Sequence, residues 1–377
     1  MKTQLKIICL VISILFALWF IGCGESKPSN IVKIGLVGPI TGDQADIGQD
    51  MNNGAIMAVD ECNEKGGVLG KKLELVSMDD RHDPKEAVAA AQRLVADPAI
   101  VGVIGHLNSG CSIPASKVYH ENKILQVTPC STNPDLTLQG FPEVFRICVT
   151  DAIQGQFGAD MAVKKFGKKR VAILHDKSQY GQGLAEQFRN TAEKDGGNIL
   201  IFEGVTQGDK DFTAILTKVK GLNPEVIYFG GMYPEGSLIT KQSHDLGLKA
   251  IIMGGDGLNS SQFITNAGPA SEGAYMTFLA PPWDQTEQAK DFVKKYTQKF
   301  KRDVGPYAPF SYDAGNCLIE AIKRANSTDR QAVLKEFKAT KDYKGITGIT
   351  NFDEHGDSTN KSMYLYIVKD GKFQLSQ

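Results

Sequence analysis

The stretch "KKLELVSMDDRHDPKEAVAAAQRLVADPAIVGVIGHL" (71–107) decides the fold. Residues 71–80 are a short apolar run bounded by charge and predict a strand. Asp83 then stands as an N-cap with Pro84 at the first helical position. Ala87, Ala91, Leu94 and Val95 fall on one helical face of the segment 83–97. A second apolar run, 100–107, follows at once. Strand, helix and strand at this spacing form a βαβ unit, which demands a parallel sheet covered on both faces.

The same alternation extends both ways. Residues 31–40 predict a strand and 50–67 a helix closed by glycine; another helix separates 100–107 from a strand at 123–130. A second set follows, with strands at 169–176, 198–205, 225–231 and 250–256 and helices near 180–195, 211–221 and 235–247. Two similar α/β units suggest two lobes of one architecture. Residues 286–339 are mostly helical, more than the second lobe needs, so the chain is expected to cross back to the first. The end, 363–375, predicts a hairpin turning at Asp370-Gly371. The lobes are expected over 31–150 plus 281–358 and 151–280 plus 359–377.

At 377 residues, 42% hydrophobic and 23% charged, the chain is long enough for two domains. Its 42 Lys and Arg against 43 Asp and Glu give no footprint for nucleic acid. The N-terminus differs from everything after it: Lys2 and Lys6, then an apolar run from Ile7 to Ile21 that suits a signal peptide and is short for a membrane span. The run ends at "FIGC" (20–23), which resembles a bacterial lipoprotein signal. That likeness implies cleavage after residue 22, acylation of Cys23, a tether over 23–30 and a protein held at a membrane surface. Of the 7 cysteines, five then remain: Cys62, Cys111, Cys130, Cys148 and Cys317. No pair has CxxC spacing, so zinc is not expected, and buried free thiols are the default.

In open parallel sheets ligands sit outside the C-terminal ends of the strands. The loops at 41–48, 106–112, 128–134, 175–183, 230–236 and 254–261 are therefore the site candidates. Phosphate chemistry fails, for there is neither GxxxxGK[ST] nor GxGxxG at a strand–helix junction. Nucleophilic catalysis fails too: around Ser109 the elbow positions are Leu107 and Cys111, and His106 suits a strand end bonded to backbone. "RHD" (81–83) lacks a second metal ligand and suits a solvated surface. Hydroxyls, amides and one carboxylate remain. Ser109 and Thr132 either cap turns or offer hydroxyls to an anionic guest. Tyr180 closes over a guest or staples a helix start, and Asp256 makes an Asx-turn or faces a cation.

Seven strings in order, "VGPITG", "DECNEKGGVLGKKLELVSMDDRHDPKEAV", "VIGHLNS", "VTPCSTNP", "HDKSQYGQGLA", "GDKDFTAILTKVK" and "YFGGMYPEG", resemble the branched-chain amino-acid (Leu/Ile/Val) binding proteins of bacterial ABC importers, from about residue 31 to about 370. The resemblance implies a type I periplasmic binding protein: two doubly wound parallel-sheet α/β lobes on a three-crossover hinge, without enzymatic activity or cofactor. It also implies roles. Ser109 binds the guest's carboxylate beside the apolar wall residue Leu107, Cys130 and Ser131 present backbone groups, and Thr132 touches carboxylate and ammonium. Tyr180 comes from the far lobe. Asp256 stands where the family usually has Glu, as partner of the ammonium. The family's aromatics in two cleft loops are here Ile47 and Met232, with Tyr233 beside the latter. His82 and Asn108 occupy positions that some members join by a disulfide.

The expected function is an extracytoplasmic, lipid-anchored, monomeric solute-binding protein that delivers a free amino acid to an ABC permease and ATPase complex. A branched-chain or other aliphatic guest fits best. The alternatives are the same fold around an amide, polar amino acid or aromatic acid, or a ligand sensor.

Overall fold

A computed structural model of the chain describes residues 30–376 except 284 and 286. The leader, Cys23 and all but the last tether residue lie outside the described residues. Four strands of the first sheet are β1 (Ile31–Gly38), β2 (Lys72–Asp79), β3 (Ile100–Gly105) and β4 (Leu125–Thr128), completed by the three-residue β5 (Val144–Arg146). Their order is β2-β1-β3-β4-β5, and the pairs β1/β3, β3/β4 and β4/β5 are parallel.

The second sheet begins with β6 (Arg170–His175), β7 (Asn198–Gly204), β8 (Val226–Gly230), β9 (Ile251–Gly254) and β10 (Tyr275–Phe278). Its order β7-β6-β8-β9-β10 repeats the first, parallel throughout. A short hairpin, β11 (Tyr343–Gly345) and β12 (Gly348–Thr350), stands apart. The chain ends with β13 (Tyr364–Lys369) and β14 (Lys372–Leu375), two antiparallel strands on the β10 edge. Asp370 and Gly371 have φ of 53° and 67°, as a two-residue hairpin of the primed type requires.

The chain thus passes between the sheets three times: after β5, after β10 and after β12. Helices Ala308–Ala325 and Arg330–Lys338 pack against the first sheet, the former also along helix Ala45–Glu64, in line with the surplus of helix after residue 285. Several elements were not read from the sequence: β5, β10, helix Ser261–Ala267 and two more at the crossovers. Helix Asp151–Ala159, continued as a π-helix to Lys165, opens the first crossover, and β11–β12 interrupts the helical tail.

Both sheets have a switch point where the order reverses, β1/β3 in one and β6/β8 in the other, and crevices form there. Arg146, at the end of β5, is fully buried. Its guanidinium pairs with Asp357 and donates to the carbonyls of Ser131 (2.9 Å) and Asn133 (2.9 Å) and to the Thr137 hydroxyl (2.8 Å). A buried cation so fully bonded fixes the loop 131–137 against the third crossover.

Candidate functional site

The two switch points face each other. Leu107, Asn108, Ser109, Cys130 and Tyr307 from the first lobe, and Tyr180, Met232 and Asp256 from the second, line a cavity between them. Its volume, about 10 Å³, is room for one water. The lobes must therefore part to admit anything larger. Direct hydrogen bonds tie them shut, among them Tyr307 hydroxyl to Asp256 (2.9 Å), Tyr233 hydroxyl to the Asp43 carbonyl (2.6 Å), Ser260 hydroxyl to Asp46 (2.8 Å) and Asn133 amide to the Gln179 carbonyl (2.6 Å).

Asp256 is the centre of the charge. It begins a 3₁₀ turn after β9, is 3% exposed, and accepts from the Tyr180 hydroxyl at 2.9 Å and the Tyr307 hydroxyl at 2.9 Å. Burial pushes its carboxyl up, while the donors Tyr180, Tyr307 and Gln154 oppose that rise. Tyr180 is set by the start of helix Gln179–Lys194, capped by the Ser178 side chain on the Gly181 N–H. Gly181 and Gly230 must both be glycine there, since a Cβ on Gly230 would lie 2.1 Å from the Gly181 carbonyl oxygen.

A second buried carboxylate, Asp151, heads the helix of the first crossover. Neither of its oxygens has a hydrogen-bond partner. The Thr132 hydroxyl neighbours it without normal bonding geometry and is likewise unpartnered, as is the carbonyl oxygen of the buried Gln154 side chain. Burial pushes Asp151 up to about 8, the Thr132 hydroxyl lowers it, Asp256 adds to the rise and Arg146 opposes it. Buried polar atoms are nearly always bonded, so orphans gathered at one place point to a polar guest.

The candidate residues sort themselves by position. Leu107, Ser109, Cys130, Tyr180, Met232 and Asp256 meet around the cavity. The Ser109 hydroxyl, at the first position of helix Ser109–Glu121, accepts from the Asn133 N–H at 3.2 Å. Thr132 lies beside Asp151. Two others stand back. Ile47 is buried in the core and is not among the cavity-lining residues. The backbone groups of Ser131 are spent: its N–H donates to the Thr128 hydroxyl (2.9 Å) and its carbonyl accepts from Arg146 (2.9 Å). Sequence reasoning missed Tyr307 and Asn108 as cavity-lining residues and Asp151 as a buried carboxylate beside Thr132.

The His106 ring is bonded to side chains and not, as expected, to backbone. Its ring nitrogens meet Asp80 (2.8 Å) and the Tyr119 hydroxyl (3.1 Å) in the core. His82 is no solvated surface residue: its ring accepts from Gln44 (2.6 Å), whose amide oxygen accepts from Asn108 (2.8 Å). This relay links His82 to Asn108. Gln44→Ala should lower stability by about 1–2 kcal/mol, read as a reduced unfolding temperature, because it strands both partners. All five cysteines from Cys62 onward are buried and free. No cluster among the described residues is fit to hold a metal ion, and no described helix is long and apolar enough to cross a membrane.

Residues 31–372 match the family model for periplasmic binding proteins. The chain belongs to that family. Among its curated periplasmic binding protein relatives, a Leu/Ile/Val-binding protein homolog of Brucella suis is 38% identical, the match covering 94% of this chain and 95% of that one. Among solved structures, a leucine binding protein, LivK, of Thermotoga maritima superposes with a TM-score of 0.86 at 35% identity, covering 92% and 98% of the two chains. The branched-chain amino acid transporter substrate binding protein LivJ of Streptococcus pneumoniae, in complex with isoleucine, gives 0.85 at 28% identity, covering 91% and 98%.

Proposed function

We propose that the protein is the solute-binding component of an ABC importer and closes its two lobes on a branched-chain amino acid. The observation that carries this is the cleft itself: two buried carboxylates with orphaned polar neighbours on one side, and a helix N-terminus with a hydroxyl on the other. Relatives of the same fold named for leucine, isoleucine and valine support it.

A zwitterion fits this polarity. Its carboxylate is received by Ser109, where the N-terminus of helix Ser109–Glu121 favours an anion. Its ammonium enters between Asp256, Asp151 and Thr132. Each charge-assisted bond contributes on the order of 1.5–3 kcal/mol. Leu107, Cys130 and Met232 give the side chain an apolar wall. The groups come from both lobes, so the guest stabilises the closed form by hinge closure, the domain motion typical of periplasmic binding proteins. The permease then senses closure. No step of this cycle makes or breaks a bond in the guest.

Membership of the periplasmic binding protein family implies an extracytoplasmic location. We infer a monomer held there by acylated Cys23, with lobe boundaries near 150, 280 and 358. Titration calorimetry with leucine, isoleucine, valine and their keto acids tests the reading. Binding of the amino acids only is expected; equal affinity for a keto acid would remove the ammonium from the recognition scheme.

A further inference from the structure

Asp50 is a fully buried carboxylate in helix Ala45–Glu64. It accepts four hydrogen bonds: from the N–H groups of Gly305 (2.9 Å), Tyr307 (2.8 Å) and Ala308 (2.8 Å), and from the Tyr296 hydroxyl (2.8 Å). Three of these donors sit at the start of helix Ala308–Ala325. The N-cap residue of that helix, Tyr307, makes no side-chain cap of its own. A carboxylate from a neighbouring helix does the capping instead. The close approach needs Gly54, where a Cβ would fall 2.0 Å from the Ala308 carbonyl oxygen.

The consequence is a fixed Tyr307. Its ring belongs to the first lobe, but its hydroxyl crosses the cleft to Asp256 Oδ2 at 2.9 Å and the Asp256 carbonyl at 3.2 Å. Within the second lobe, Asp256 Oδ1 accepts from the Tyr180 hydroxyl, which itself accepts from the Gly257 N–H at 2.9 Å, and the Gln154 side chain also favours the ionised carboxylate. Of the donors to this carboxylate, the Tyr307 hydroxyl is the one that arrives with the first lobe.

We propose that Tyr307 is a positioning residue for the Asp256 carboxylate, delivered by lobe closure and held in place by Asp50, so that it governs how long a guest stays bound. This rests on the cleft being the amino-acid site. A bond made only on closure acts on escape and leaves encounter with the open protein untouched.

Stopped-flow kinetics with leucine test it, on wild type, Tyr307→Phe, Asp50→Asn and the double variant, each first checked for a cooperative unfolding transition. Tyr307→Phe keeps the ring and loses the hydroxyl; dissociation is expected to quicken about tenfold with association unchanged, the scale of one charge-assisted bond. Asp50→Asn should quicken dissociation in the wild-type background and add little in the Tyr307→Phe background. Should Asp50→Asn fail to fold, Tyr296→Phe, which removes one of the donors to Asp50, takes its place in the cycle. An unchanged or slower dissociation in Tyr307→Phe would overturn the proposal, slower meaning that the hydroxyl competes with the guest. Equal effects of the Asp50 or Tyr296 change in both backgrounds would overturn the part given to Asp50. Wild type that binds no branched-chain amino acid would overturn the reading of the cleft, whereas wild-type binding with an unaltered Tyr307→Phe fails this inference alone.

Discussion

Asp256→Ala should weaken leucine binding by about 3–5 kcal/mol, roughly a hundredfold to several thousandfold, in titration calorimetry. The magnitude follows from what is left behind. In the closed protein the site is buried, so an ammonium brought there without its counter-charge keeps the full cost of leaving water. Two phenol hydroxyls, of Tyr180 and Tyr307, would also lose the acceptor they share. Asp256→Asn should fall between wild type and alanine, since it keeps an acceptor and loses the charge. Burial already holds the Asp256 carboxyl above its ordinary range, so the native protein is strained by this charge rather than supported by it. A loss of affinity under tenfold in Asp256→Ala would mean that Asp151 alone answers the ammonium.

How much of this was legible beforehand follows from chain geometry. Strand-end loops announce themselves, because apolar runs stop at polar residues. Leu107, Ser109, Cys130, Tyr180, Met232 and Asp256 all lie just past such stops and all meet around the cavity. Tyr307 does not follow a strand. It precedes a helix on the far side of the second crossover, and only "GPYAP" (305–309), a helix start bracketed by prolines, marks the spot. Asp151 was hidden because β5 is only three residues long, too short to show a period, so the residues after it were not recognised as a strand-end loop.

Asp50 had no signal at all. A lone carboxylate in a helical pattern is normally a solvated one, and its donors are about 255 residues away in sequence. Ile47 and Ser131 show the converse. Both lie just past a strand, but Ile47 is buried in the core and the Ser131 backbone is held by Thr128 and Arg146. The architecture was easier: two runs of alternating strand and helix leave little choice but two parallel sheets. What alternation could not supply was the hairpin β11–β12, whose three-residue strands carry no period either.

The remaining large effect is on pH. Burial pushes Asp151 up to about 8, so the closed, guest-free protein holds a proton there under neutral conditions. The charged groups that act on it are Asp256, which raises it, and Arg146, which lowers it; the nearby Tyr180, Tyr228 and Cys148 are themselves pushed up by burial and stay neutral. An arriving ammonium favours the ionised carboxylate, and the proton must leave. Affinity for leucine should therefore rise with pH up to about 8, by about fiftyfold between pH 6 and 8 at full linkage of one proton. Calorimetry in buffers of different ionisation enthalpy should show that proton released. The sign for stability is opposite in the free protein. Across the window from the ordinary carboxylate range to about 8 the folded state binds more protons than the unfolded one, so stability falls as pH rises. With leucine bound the fall is offset, and the gain in unfolding temperature on adding leucine should be larger at pH 8 than at pH 6. Asp151→Asn, which cannot titrate, should flatten both trends. A pH-independent affinity in wild type would show that the ammonium does not reach Asp151 and is answered by Asp256 alone.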